Sequence, residues 1–316
     1  MGESHLYNRR KFIKQTAKTS AGFAALTLLP RFSLFAAKRE IVKVTLLHTN
    51  DTHSHLDPFP VNDPKYSGLG GIARRASLVD KIRAQEKHVL LFDAGDIFQG
   101  TPYFNLFGGK PEFELMSEMK YDAATLGNHD FDNGIDGLVK MFPYAKFPFI
   151  NCNYDFSDTQ LAGKTKPYKI FNKGNAKIGV IGVGVELEGL VAKKNYGNIQ
   201  YFDPIKKADE QAKFLKLEEK CDMVVCLSHL GYKYKTNKVS DIHLAQNTEY
   251  IDVIIGGHTH TFLDKPDIRK NKAGKKVLIA QVGWAGIKLG KIDCEIPLFG
   301  KDINFTSTTI KISKYQ

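Results

Sequence analysis

A chain of 316 residues, 42% of them hydrophobic and 25% charged, is long enough for one large α/β domain or two small ones with a real core. Its net charge of +11 suits an anionic ligand, but the basic residues are scattered and form no aromatic–basic ladder of the kind that tracks single strands, which argues against a nucleic-acid polymer as partner. No repeat or low-complexity tract interrupts the chain, and no apolar run is long enough for a stable transmembrane span.

The chain opens with Arg9-Arg10 ahead of the apolar run Ala21 to Leu29, and small residues Ala36 and Ala37 close the segment. Paired arginines before a short apolar run read as a twin-arginine export address. Residues 1–37 are therefore expected to be a signal segment and 38–316 the folded domain, in the periplasm or otherwise exported. Loss of that segment removes six basic residues and one acid, so the net charge falls from +11 to +6.

Ile41 to Leu47 reads as a strand that ends in His48-Thr49-Asn50-Asp51-Thr52-His53. In an extended chain residues i and i+2 share a side, so Asp51 and His53 are expected to point together from the strand end. Ile72 to Gln85 carries Ile72, Ala76, Val79 and Ile82 at helical spacing. His88 to Phe92 is the next strand, and Gly95 turns the chain so that Asp96 emerges at its tip. A helix over Glu112 to Met119 leads into a strand over Tyr121 to Leu126, then Gly127-Asn128-His129-Asp130-Phe131-Asp132. The polar side chains of that string would be costly to bury for packing alone. Asp132 lies three residues past His129, close enough for its carboxylate to hold one imidazole nitrogen.

Ile135 to Phe142 reads as a helix, Phe147 to Cys152 as an apolar run, Ile178 to Val185 as a strand and Lys193 to Gly197 as a loop. Pro204 to Lys220 reads as an amphipathic helix with Asp203 at its N-cap. Asp222 to Leu227 is a strand ending in Ser228-His229, and a helix near Ser240 to Gln246 precedes the strand Val253 to Ile255. That strand ends in Gly256-Gly257-His258-Thr259-His260. The tail reads as strands over Lys276 to Val282, Ile287 to Ile296 and Asn304 to Ile312. Strands alternating with helices predict an α/β fold, with a mixed or second sheet supplied by the tail. Cys152, Cys221, Cys226 and Cys294 lack zinc-type spacing. A buried thiol is the plain reading of Cys226, and Cys221–Cys226 is the local candidate for a bridge.

Five strand ends thus carry metal-type ligands: Asp51 and His53, Asp96, Asn128, His229, and His258 with His260. Ligands in α/β proteins gather outside strand ends. Carboxylate, imidazole and amide without thiolate suit Mn²⁺, Zn²⁺, Fe, Co²⁺ or Mg²⁺ in an open site. Seven ligands exceed one tetrahedral ion but serve two ions about 3.5–4 Å apart, with Asp96 as the natural bridge. Such a pair lowers the pKa of a shared water, and the expected chemistry is attack of that hydroxide on phosphorus. His129, not needed as a ligand, is the candidate for leaving-group stabiliser or general acid, with Asp132 orienting its ring.

The ordered set Asp-x-His, Gly-Asp, Gly-Asn-His-Asp, His and Gly-His-x-His resembles the calcineurin-like metallophosphoesterases. The strings 49–55, 95–100, 127–132 and 256–260 look like the exported 5′-nucleotidase and 2′,3′-cyclic phosphodiesterase branch. The resemblance runs from about Ile41 to Gly290. It implies a four-layer α/β/β/α sandwich with two mixed sheets. It also implies one metal on Asp51, His53, Asp96 and His260, and another on Asp96, Asn128, His229 and His258. In the nucleotidases the position of His260 is often a Gln, and His55 matches the family string without an assigned role.

The function implied is hydrolysis of phosphomonoesters, with nucleotides or other small phosphoesters as substrates. The exported nucleotidases continue into a further domain that reads the nucleoside. The expectation is therefore either a separately encoded recognition domain that docks here, or an open site of loose selectivity. The alternatives are a sulfate-ester or thiosulfate hydrolase of the same superfamily and a non-catalytic binding subunit, the latter disfavoured because every ligand and His129 are present.

Overall fold

The computed structural model describes residues 40–298 and 302–314, and the expected export segment lies outside them. In chain order come β1 (Ile41–Thr49), α1 (Ile72–Gln85), β2 (Val89–Asp93), α2 (Pro102–Phe107), α3 (Lys110–Glu118), β3 (Ala123–Ala124), a 3-10 turn (His129–Phe131), α4 (Gly134–Met141), β4 (Phe149–Ile150), β5 (Tyr154–Asp155) and β6 (Thr165–Lys166). Then follow β7 (Tyr168–Lys173), β8 (Ala176–Gly184), α5 (Lys193–Tyr196), β9 (Gln200–Tyr201), α6 (Pro204–Leu217), β10 (Met223–His229), α7 (Asp241–Asn247), β11 (Val253–Gly256), β12 (Asp267–Lys270), β13 (Lys276–Ala280), β14 (Lys288–Pro297) and β15 (Asn304–Lys311).

Seven strands form one sheet in the order β15-β14-β1-β2-β3-β4-β6, and six form another in the order β12-β13-β11-β10-β8-β7. Both are mixed. β1 to β4 run parallel while β14 and β15 are antiparallel; β8, β10, β11 and β13 run parallel while β7 and β12 are antiparallel.

Alternation along each strand divides its side chains between two cores. Val44, Leu46, Leu90 and Phe92 of the first sheet pack with Val180, Val225 and Ile255 of the second. Leu47 and Leu91, one residue on, turn outward onto Val79 and Ile82 of α1 and Phe113 of α3. Ile181, Val224 and Ile254 meet Ala208 and Leu215 of α6 and Leu244 of α7. Helices, sheet, sheet, helices is the expected four-layer sandwich. Because both faces of each sheet are covered, the central strands read as continuous apolar runs. Each fully buried Leu, Ile or Val contributes about 1.5–3 kcal/mol.

Most expected elements form within a residue or two, and Asp203 caps α6 by accepting from the N–H groups of Ile205 and Lys206. Lys193 to Gly197, expected as a loop, instead begins with the single turn of α5 before Gly197. β3 shrinks to two residues, although the N–H groups of Asp122 and Thr125 still bond the Leu91 and Asp93 carbonyls. The Cys221–Cys226 bridge is absent; all four thiols are free, and Cys226 is fully buried in β10. Among the described residues no helix is long and apolar enough to cross a membrane.

Candidate metal centre

In the parallel part of the first sheet Thr49 lies opposite Asp93, and in the second Ser228 lies opposite Gly256. The strands therefore end level, and the loops that follow β1, β2, β3, β10 and β11 meet at one edge of the sandwich. Backbone bonds lace two of these loops: Asp51 N–H to Gly95 O at 2.9 Å, His53 N–H to Asp96 O at 3.1 Å and Ser54 N–H to Ile97 O at 2.9 Å. A third is tied in by the buried Asp130 carboxylate. It accepts from the N–H groups of Asp96, Ile97, Phe98 and Gly127 at 2.8–3.1 Å. Burial, then the charge of Asp96, pushes the Asp130 carboxyl up to about 7.

Among the described residues two groups of ligand atoms are compact enough for an ion: Asp51, His53, Asp96 and His260, and Asp96, His229 and His258. Asp96 belongs to both. In the first, His260 Nε2 is 3.3 Å from Asp51 Oδ1 and 3.0 Å from His53 Nε2, and His53 Nε2 is 3.9 Å from Asp96 Oδ2. In the second, His229 Nε2 is 3.0 Å from Asp96 Oδ2, and the His229 and His258 rings lie 5.2 Å apart. Asn128 is buried beside them: the next N–H, that of His129, bonds Asp96 Oδ1 at 2.8 Å.

Three observations fit this donor set to metal ions. His229 Nε2 and Asn128 Oδ1 are buried without a hydrogen-bond partner; the 3.0 Å approach of His229 Nε2 to Asp96 Oδ2 lacks hydrogen-bond geometry, as expected of two atoms facing a common third. His53 and His229 each direct Nδ1 at a backbone carbonyl, Phe98 O at 3.2 Å and Ala94 O at 2.7 Å. That fixes Nδ1–H as the donor and leaves the Nε2 lone pair facing the centre. Finally, Asp51, His53, Ser54, Asp96, His258 and His260 all have positive φ, between 47° and 70°. Left-handed backbone costs a non-glycine residue roughly 1–2 kcal/mol, and its concentration here marks a functional site.

This corrects one expectation. Asp51 and His53 converge, but past the end of β1 and in left-handed conformation, not through the alternation of an extended strand. Close approach also demands two glycines: a Cβ on Gly127 would overlap Asp96 Oδ1, and one on Gly257 would lie 2.9 Å from His229 Nδ1.

Asp96 and His229 favour each other's charged forms, and an ion bound there would displace the His229 Nε2 proton. Burial opposes both charges of the Asp96–His229 pair, yet the imidazole holds Asp96 below the usual carboxylate range, and Asp96 raises His229 to about 10. Burial, helped by His229, lowers His258 to about 3, and burial lowers His53.

His129 stands beside this centre, its ring 5.3 Å from that of His53, with 37% of its side chain exposed. Its Nδ1 meets Asp132 Oδ2 at 2.8 Å, as the three-residue spacing predicts. That bond raises the His129 pKa, against partial desolvation. His55 bonds the His53 carbonyl through Nδ1 and stacks on Phe59. Sequence reasoning missed Asn50 and Gln281. The Asn50 amide accepts from Val282 N–H and donates to Asp51 Oδ2, and Gln281 donates to Gly257 O and accepts from Thr261 N–H at 2.9 Å. Position 50 inside the Thr-Asn-Asp string was the available signal for the first; the second has none.

Residues 44–262 match the family model described as calcineurin-like phosphoesterase. The chain belongs to this family. Among curated relatives of this calcineurin-like phosphoesterase is the snake venom 5′-nucleotidase of Naja atra, 32% identical over 292 residues, covering 86% of this chain and 54% of that protein. The 5′-nucleotidase of Homo sapiens is 33% identical over 283 residues, covering 83% of this chain and 48% of that protein. A solved 5′-nucleotidase precursor from Thermus thermophilus superposes with a TM-score of 0.78 at 32% identity, over 86% of this chain and 55% of that one. The chain spans about half the length of these relatives.

Proposed function

We propose that the protein is a metal-dependent phosphomonoesterase that acts as a 5′-nucleotidase. The observation that carries this reading is the pair of ligand groups joined at Asp96, with His129 poised beside them. Asp51, His53, Asp96 and His260 would hold one ion; Asp96, Asn128, His229 and His258 would hold the other. Two divalent cations held there, drawn from Mn²⁺, Zn²⁺, Fe, Co²⁺ and Mg²⁺, would supply hydroxide at neutral pH and Lewis-acid stabilisation of phosphoryl charge.

The chain's own groups do the rest. The carbonyls of Phe98 and Ala94 keep the His53 and His229 rings in one tautomer. Asp132 positions His129 through Nδ1, and its carboxylate favours the imidazolium, so Nε2 carries a proton toward the leaving alkoxide. Residues 38–316 form the catalytic domain, and residues 1–37, with Arg9-Arg10 before an apolar run, direct twin-arginine export to the periplasm.

The test is a phosphate-release screen on metal-stripped protein, with Mn²⁺, Zn²⁺, Co²⁺ and Mg²⁺ restored one at a time. Nucleoside 5′-monophosphates are expected to be hydrolysed, and an aryl phosphate faster than the matching aryl sulfate. Faster sulfate hydrolysis, or no release under any metal, overturns the proposal.

A further inference from the structure

A cavity of ≈ 520 Å³ opens beside His260, walled by Tyr66, Phe262 and Trp284. None of these rings is fully buried. The Trp284 indole lies flat against the His260 imidazole, 5.7 Å between centroids and 3° between planes. Tyr66 meets it edge-on at 6.0 Å, and Trp284 Nε1–H donates to the Tyr66 hydroxyl at 3.3 Å. Phe262 lies 6.4 Å from Tyr66.

The wall is held in place from behind. His55 and Phe59 abut Trp284 edge-on at 5.1 and 6.0 Å. Gly283, at φ +83°, lets Phe262 lie directly on its backbone, where a Cβ would overlap the ring. The loop carrying Trp284 hangs on the metal-facing strand end: Ala285 N–H bonds Asp51 O at 2.7 Å, and Asn50 Nδ2 bonds Gly283 O at 2.5 Å. Lys65, Lys288 and Lys311 rim the cavity. Lys65 and Lys288 sit over the Tyr66 and Phe262 rings at 5.0 and 5.2 Å, and Lys288 pairs with Asp264 at 2.5 Å. The cavity therefore offers a ligand aromatic surface with a cationic rim, and one wall of it is backed by a proposed metal ligand.

We infer that this cavity is a subsite of the catalytic domain for a planar aromatic ring carried by the leaving group, a nucleobase or an aryl ring, whose phosphate lies at the ions. The inference rests on the phosphoesterase reading for the phosphate but on the ring wall for the organic part. Aromatic faces recognise any flat ring by stacking, so the subsite prefers aromatic over alkyl leaving groups and discriminates weakly among bases.

Trp284 is the only tryptophan in the chain, so its emission reads the cavity without turnover. Titration of the full-length protein with adenosine, which has no phosphate to lose, is expected to quench that emission saturably, whereas ribose leaves it unmoved. Phe262→Ala and Tyr66→Ala are each expected to weaken adenosine binding about 10-fold. They should also raise KM for a nucleoside monophosphate relative to methyl phosphate by a similar factor. No quench by adenosine, or equal quench by ribose, overturns the subsite even in a protein that releases phosphate freely. A saturable adenosine quench in a protein inert toward every ester supports the aromatic site and overturns the hydrolase reading instead.

Discussion

The ligand group around His229 is the more enclosed at its centre: the His229 imidazole is fully buried and Gly127 and Gly257 press against it, although His258 is partly exposed. The group around His260 opens outward, with 40% of that side chain exposed and the indole of Trp284 laid over it. Both groups draw on the same Asp96 carboxylate. The difference separates two tasks. The enclosed side would retain an ion, while the open side would exchange water and ligand and face arriving substrate.

The harshest test of this difference removes what the two groups share. Asp96→Asn is expected to empty both and to lower phosphate release by more than about 100-fold; metal analysis of the purified variant that finds one ion at full occupancy refutes the sharing. His129→Ala is next, expected to lower kcat by about 10²–10⁴-fold while both ions stay bound; loss of metal would make His129 a ligand. His260→Gln probes the two groups against each other. It should weaken the open site about 10-fold and leave the enclosed one filled, read as two separate transitions in a metal titration. Equal weakening of both would mean the groups do not differ in kind.

Asp132→Asn is the mildest. The Asp132 hydrogen bond raises the His129 pKa. His129 donates its proton only in the charged form, so its acid role persists to higher pH when Asp132 is ionised. Removing that carboxylate lowers the pKa, and the alkaline limb of kcat should move to lower pH with metal content unchanged. An unmoved limb would leave Asp132 with a structural role only.

How far the sequence was legible varies along the chain for physical reasons. α1 forms over the residues that its 3.6-residue spacing predicts, because Ile72, Val79 and Ile82 on one face are buried and Ala76 is partly so. β7 escaped notice because it is a half-buried edge strand, with neither a clean alternation nor a continuous apolar run. α5 is four residues long, below the length at which periodicity has meaning. At the site, the ligand types and their strand-end positions are visible in the chain, and the structure brings Asp51, His53, Asp96, His229, His258 and His260 together. The means is not visible. Left-handed backbone at Asp51 and His53 carries no sequence signature, and Asp130 acts through amides of residues 96–98 and 127, partners of which a residue pattern gives no sign.

The left-handed backbone of the candidate metal ligands has a practical consequence for any mutational dissection. Alanine at position 51 or 96 deletes a donor and at the same time installs a residue that resists this conformation, so two perturbations arrive as one number. Asparagine visits the same region readily and keeps the side-chain shape. It therefore strips away charge alone, and measuring Asp→Asn beside Asp→Ala at each position separates electrostatic loss from conformational misfit.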